Sequence, residues 1–208
     1  AAALRNIPTL IQEQNVIAGI TNKILSRFVD VVAVGYNEAA KSFDKAKQVV
    51  YTGNPVRPDV LVDSRVEGRK HFGLSDDIFT VLIAGGSRGA RTINNAMIDV
   101  HKHFQGKDGI KLIHITGNGE YTSVLEKLGI NDGSGLGESS LILPYLHDMP
   151  KALAATDLAV FRSGAIGLAE LAVRGIPSVL VPYPYAAEDH QTYNARIFVQ
   201  EGAAHMIV

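Results

Sequence analysis

The chain has no cysteine. Disulfides and thiolate metal ligands are therefore excluded, and a reducing compartment fits the composition. Neither sign of charge is in excess: 20 Lys and Arg stand against 21 Asp and Glu. A bulk nucleic-acid binder needs surplus cations to neutralise phosphates, so that class is set aside. A single small anion would need only a local cluster. No apolar run approaches the roughly 20 residues of a membrane-spanning helix. The longest runs, 80–84 and 178–182, have the length of strands. Also absent are an initiator Met and the charged-then-apolar order of a signal peptide. The opening Ala1-Ala2-Ala3-Leu4-Arg5 resembles the end of a helix already under way. The chain is therefore expected to be a piece of a larger protein.

What is present is 208 residues, 46% hydrophobic and 20% charged, enough for one full globular domain and part of another. Short β-branched runs alternate with helical stretches. Strands are expected at 8–12, 30–34 and 48–51, with helices at 19–28 and 38–46. Thr52-Gly53-Asn54-Pro55-Val56-Arg57-Pro58 then breaks regular structure. This places a domain boundary there: residues 1–56 as the tail of a preceding domain with its linker, residues 57–208 as the main domain. A polar helix follows at 64–72. Strands at 80–84, 111–116, 141–143, 158–161 and 178–181 alternate with helices at 92–104, 121–128, 149–155, 167–174 and 189–201, and a last strand begins at 204. Strands apolar on both faces, each followed by a helix, predict an α/β doubly wound parallel sheet.

In such sheets ligands bind where strands end and helices begin. The first of these loops is Gly85-Gly86-Ser87-Arg88-Gly89-Ala90. Glycines allow close backbone approach, a helix start attracts anions, and Ser87 adds a hydroxyl donor. The same residues fit a tight turn that binds nothing. The loop lacks the Gly-x-Gly-x-x-Gly order of a dehydrogenase and the Gly-Lys-Ser/Thr of a P-loop. The second is Arg162-Ser163-Gly164-Ala165-Ile166-Gly167, with Glu170 in the helix it opens. A carboxylate there suits two ribose hydroxyls, or merely complements the helix dipole. In the third, Asp189 is a candidate helix cap, and His190 and Gln191 fall in the first turn, with Asn194 one turn on. Arg57, at the boundary, is suited to clamping a diphosphate, or is a surface arginine. Gln12-Glu13-Gln14-Asn15 ends the first strand with three amides and an acid, a set not expected in a core. No residues show a metal-ligand spacing or a nucleophile elbow. His101 and His103, at i and i+2 on a helix, are expected to be solvated, and His114 to pack under a loop.

Taken in order, Gln12-Glu13-Gln14-Asn15 with Gly19, Thr52-Gly53-Asn54-Pro55-Val56-Arg57, Gly85-Gly86-Ser87-Arg88-Gly89-Ala90, Arg162-Ser163-Gly164-Ala165…Glu170 and Asp189-His190-Gln191…Asn194-Ala195 form a series. It resembles the MurG family of peptidoglycan N-acetylglucosaminyltransferases over nearly the whole chain. Each motif alone is weak; five in one order are specific. The resemblance implies a GT-B fold, two Rossmann-like domains facing across a cleft. It implies transfer of N-acetylglucosamine from UDP-N-acetylglucosamine to a polyprenyl-diphosphate-linked muramyl-pentapeptide. Transfer would invert the anomeric centre and use no cofactor and no metal. It implies a peripheral enzyme on the cytoplasmic face of the plasma membrane. The acceptor, the membrane surface and the catalytic base would belong to an N-terminal domain outside this chain. By position, Arg57 and Ser87 would meet the diphosphate, Glu170 the ribose, and the backbone at Ile166 the uracil edge. His190 and Gln191 would contact the sugar hydroxyls, and Asn15 would line the sugar pocket.

Four residues depart from the family pattern. Gln12 stands where His is frequent, Phe161 where a small or hydroxyl residue is usual, Gly167 where Thr is frequent, and His190 where some members have Gln. The fragment is expected to bind donor without turnover. A non-catalytic UDP-sugar-binding module and an epimerase-like enzyme are the alternatives, the latter disfavoured by Gln14-Asn15 and His190-Gln191.

Overall fold

In the computed structural model, which describes residue 2 and residues 5–86 and 89–208, all strand pairing is parallel and falls into two sheets. The first sheet orders β1 (Leu10–Glu13), β2 (Val31–Val34) and β3 (Val49–Tyr51) consecutively. The second contains β4 (Phe79–Ala84), β5 (Ile110–Ile115), β6 (Ser140–Leu143), β7 (Leu158–Phe161), β8 (Ser178–Leu180) and β9 (Ala204–Met206). Its order is β6-β5-β4-β7-β8-β9. The chain thus runs outward from β4 to one edge, returns to the middle, and runs outward to the other edge. The reversal lies between β4 and β7, where the loops that follow the two strands diverge and leave a crevice. This bears out the α/β parallel architecture expected from the sequence.

Eight α-helices connect the strands among the described residues: α1 (Ile20–Leu25), α2 (Pro58–Val62), α3 (Arg65–His71), α4 (Arg91–Phe104), α5 (Tyr121–Leu128), α6 (Met149–Ala155), α7 (Ala165–Arg174) and α8 (His190–Gln200). Two expectations change. The helix expected at 38–46 is a 3-10 turn over Asn37–Ser42. Phe43 ends it, turning inward with φ −122 to fill the first sheet's core at 2% exposure. The polar helix at 64–72 is α3, and a separate α2 precedes it. Pro58 opens α2 at its first position, where a missing N–H costs nothing. Ser64 then opens α3 with a capping box: its hydroxyl accepts from Glu67 N at 3.2 Å, and Glu67 Oε2 accepts from Ser64 N at 3.1 Å.

Both faces of the second sheet are covered. Leu82, Ile113, Ala159 and Leu180 share one cluster with Leu153, Leu168 and Leu171. Val81, Ile83 and Leu112 share another with Ile93 and Met97 of α4. Neighbouring residues of β4 therefore enter opposite layers, as the period of two demands. Each fully buried Leu or Ile contributes about 1.5–3 kcal/mol. Arg69, 2% exposed, anchors the opposite, amino ends of the strands. Its Nη2 donates to the Ser75 and Ile78 carbonyls, and its Nη1 lies 3.6 Å from Asp157 Oδ2. Asp157 Oδ2 in turn accepts from Thr80 N at 2.8 Å, so one charge cluster aligns the starts of β4 and β7. The exposed turn 105–109 lies at this same end, leading into β5.

Candidate functional site

The carboxyl ends of β4 and β7 open into a crevice of about 1120 Å³. One wall is the loop entering α4. Gly85 and Gly89 are required there by space: a β-carbon on Gly85 would collide with Ala90, and one on Gly89 with the Thr116 carbonyl oxygen. Gly89 also has φ +76, and Gly86, at φ +90, opens onto free space. Ser87 and Arg88 lie outside the described residues, so the Ser87 expectation has no geometry here. The opposite wall is Gly164, Ile166, Gly167 and Glu170 at the start of α7.

Of the residues picked from sequence, Arg57, Ile166, Glu170 and Gln191 line this crevice together. Glu170 is 7% exposed, and its Oε1 accepts from Arg57 Nε at 3.1 Å. The helix-dipole alternative for Glu170 is displaced, because the carboxylate lies in the second turn of α7 and is paired with a guanidinium. Gln191 reaches back to the loop after β8, its Oε1 accepting from Tyr183 N at 2.9 Å.

Asn15 and His190 are elsewhere. They line an adjoining hollow of about 430 Å³ with Glu13, Asn22 and Glu188. Asn15 Oδ1 accepts from Asn194 Nδ2 at 3.0 Å, and His190 Nδ1 donates to the Ala187 carbonyl at 2.8 Å. Asp189 does not cap α8 with its carboxylate. It has φ +53 and accepts from the Thr192 hydroxyl at 2.6 Å instead. Glu188, also at φ +53, adjoins it, so this loop carries two consecutive non-glycine residues in the left-handed region.

Glu13 corrects a further expectation: it is buried, at 3% exposure. Its Oε1 accepts from Asn15 N (3.0 Å) and Asn15 Nδ2 (3.3 Å). Its Oε2 accepts from Gly19 N (3.0 Å) and Asn22 Nδ2 (2.9 Å). A carboxylate so supplied with donors is tolerated inside, and here it shapes the turn that carries Asn15.

His101 is likewise buried, not solvated, and His114 lies beneath α4 rather than beneath a loop. His114 Nε2 is 3.0 Å from Asn94 Oδ1, which is an acceptor, so that nitrogen carries the proton. Its Nδ1 then accepts from His101 Nε2 at 3.1 Å, and His101 Nδ1 accepts from the Ser140 hydroxyl at 2.9 Å. Asn94 Nδ2 completes the run by donating to the Thr116 carbonyl at 2.9 Å. Both rings are therefore neutral. Burial pushes His101 down to about 4; burial and the neighbouring ring push His114 down to about 3. The run ends on the carbonyl that excludes a side chain at Gly89, directly under the crevice wall. His103 is the solvated member of the pair, 2.9 Å from Lys107 Nζ.

Further crevice contributors escaped the sequence reading. Tyr145, Leu146 and His147 come from the connection between β6 and α6, and Met149 opens α6. Applying the strand-end rule to β6 as well would have found them. Arg162, in a loop already noted, donates from Nη1 to the Val181 and Pro182 carbonyls at 3.0 and 2.6 Å. It thereby ties the ends of β7 and β8 together. The arrangement offers backbone donors at two helix starts, one guanidinium, one carboxylate and an apolar wall, a set suited to a phosphorylated nucleoside.

Comparison with known proteins shows the family and the fold. Residues 80–208 match the glycosyltransferase family 28 C-terminal domain. A transferase from Desulfitobacterium hafniense (strain Y51) is 48% identical over the whole chain, and one from Caldanaerobacter subterraneus subsp. tengcongensis is 45% identical. Both are named UDP-N-acetylglucosamine–N-acetylmuramyl-(pentapeptide) pyrophosphoryl-undecaprenol N-acetylglucosamine transferase. The chain spans 56% of the length of each. The crystal structure of Acinetobacter baumannii MurG superposes with a TM-score of 0.72 at 29% identity, covering 99% of this chain and 55% of that one. A UDP-N-acetylglucosamine 2-epimerase structure from Listeria monocytogenes shares the fold alone, with a TM-score of 0.64 at 13% identity. The chain belongs to glycosyltransferase family 28, with the family's C-terminal domain at residues 80–208.

Proposed function

We propose that this chain supplies the donor side of an N-acetylglucosaminyltransferase that acts on a polyprenyl-diphosphate-linked muramyl-pentapeptide, with UDP-N-acetylglucosamine as donor. The relatives' shared name supports the reaction. The observation that carries the site is the crevice at the β4–β7 reversal, where Arg57, Glu170 and Gln191 converge on glycine-rich helix starts. In this reading the uracil lies along Ile166 and the apolar wall around Leu146. Glu170 accepts from the ribose, and Arg57 with the α4 start meets the diphosphate. Negative charge that grows on the departing UDP is stabilised by Arg57 and the two helix starts. The sugar points toward the hollow lined by Asn15 and His190, beside Gln191. Residues 1–56 serve as the other wall of the cleft, and residues 57–208 as the donor domain. The acceptor, the base that deprotonates it, and attachment to the membrane surface are assigned to the part of the relatives' length outside the matched region.

Calorimetric titration with UDP tests the site. Arg57→Ala is expected to weaken binding by roughly 1.5–3 kcal/mol, the worth of a hydrogen bond to a charged group. Unchanged affinity would remove Arg57 from the donor site.

A further inference from the structure

The two ionic side chains assigned to different parts of the donor are bound to each other. Arg57 Nε donates to Glu170 Oε1 at 3.1 Å, and Arg57 Nη2 lies 3.1 Å from the same oxygen. The Glu170 side chain is 10% exposed and sits on the rigid α7, whereas the Arg57 side chain is 51% exposed and leaves the chain at the N-cap of α2. The buried partner is thus the fixed one, and the exposed partner is the one held.

We infer that Glu170 is a positioning residue for Arg57: it fixes the guanidinium so that its remaining fork meets the donor diphosphate, in addition to facing the ribose. The inference rests on the proposed donor site and deepens it. Its chemistry follows from the guanidinium. Arginine presents two bidentate edges, one from Nε and Nη2 and one from Nη1 and Nη2. Glu170 takes the first through Oε1. The second is the edge left for phosphate oxygens, with Glu170 Oε2 the oxygen left for a hydroxyl. Arginine has several rotatable bonds, and holding it in advance removes that freedom before the anion arrives. The pairing also offsets the negative charge that Glu170 would otherwise present to a diphosphate.

The two roles predict opposite signs. If Glu170 only grips ribose, removing its charge leaves an inorganic anion bound as well or better, since one repulsion is gone. If it positions Arg57, the same change weakens the anion. Pyrophosphate and uridine, the two halves of the ligand, are therefore titrated separately into wild-type chain and variants, with circular dichroism confirming the fold. Glu170→Ala is expected to weaken pyrophosphate about threefold to tenfold, within the lower part of the range of coupling between directly bonded side chains. Glu170→Gln, which keeps an acceptor oxygen for Nε, should recover most of that loss. In an Arg57→Ala background, Glu170→Ala should cost pyrophosphate nothing further. Unchanged or tighter pyrophosphate binding by folded Glu170→Ala overturns the inference. Should the alanine variant not fold, Glu170→Asp carries the test, because it keeps the charge and withdraws the carboxylate by one methylene. It too should weaken pyrophosphate, and unchanged binding is again fatal. The uridine arm tests the underlying site independently. A loss for pyrophosphate but none for uridine leaves the positioning role standing and removes the ribose contact. A wild-type chain that takes neither UDP nor pyrophosphate overturns both.

Discussion

At Gly89 the backbone runs at φ +76, and the place a β-carbon would occupy is taken by the Thr116 carbonyl oxygen. Gly89→Ala therefore combines a disfavoured conformation with a collision against backbone that cannot rotate away. Urea unfolding should show a loss of roughly 1–3 kcal/mol, and UDP affinity should fall with it. The neighbouring wall carries a milder constraint. A β-carbon on Gly167 would rest 3.7 Å from Phe161 Cδ1, an ordinary contact. Two departures from the family pattern thus meet in one place: a larger residue at 161 faces a smaller one at 167. Gly167→Ala should be nearly neutral in thermal unfolding, whereas Gly167→Thr adds two further heavy atoms beside the buried ring and should cost about 1–3 kcal/mol. The glycine requirement at 85–89 was legible from sequence, because only glycine suits such turns. The burial of Glu13 was not. Its four donors come from residues 15, 19 and 22, whose convergence depends on a turn no local pattern announces.

Helix α4 is held to β5 and β6 by the run from Ser140 through His101, His114 and Asn94 to Thr116. Spacing along a helix describes only neighbours on that helix, so it misplaced His101; what lies beneath is decided by β5. The strands and helices themselves were legible, since apolar residues at period two and at 3.6 mark them directly. The 3-10 turn at Asn37–Ser42 was not, because Phe43 stops it from the core. The histidine pair has a consequence for acid stability. Each ring binds its proton more weakly in the fold than in the unfolded chain, where its pKa is near 6.5. Their stabilisation is therefore complete above about pH 6.5 and is lost as pH falls toward about 4 for His101 and about 3 for His114. Between pH 6.5 and pH 5 the loss should be roughly 2 kcal/mol per ring. Denaturant unfolding at those two pH values checks it, and His101→Gln should flatten the dependence.

The two sheets meet through a buried amide. Asn194, fully enclosed, accepts from Val16 N at 3.0 Å and donates to Asn15 Oδ1 at 3.0 Å and to the Ser163 carbonyl at 3.2 Å. One side chain on α8 thus joins the turn after β1 to the loop after β7. Asn194→Ala would leave buried polar groups unpaired on both sides and should cost about 2–3 kcal/mol. Limited proteolysis should then cut the irregular stretch 52–57 faster than in the wild-type chain; an unchanged rate would deny Asn194 this bridging role. The parallel character of the sheet and the ends of its strands were readable in sequence, because both follow from local apolarity and punctuation. The strand order was not, since which strand neighbours which depends on contacts across the whole chain. That order nonetheless decides where the crevice falls.

The split between the sheet's two ends also has a practical use. Every crevice loop follows a strand, while the turn 105–109, with glycines at φ +71 and +78, precedes β5 at the far end. A fluorophore, an affinity tag or a surface tether grafted there would leave the crevice facing outward. An immobilised chain of this kind would keep its mouth toward the flowing solution.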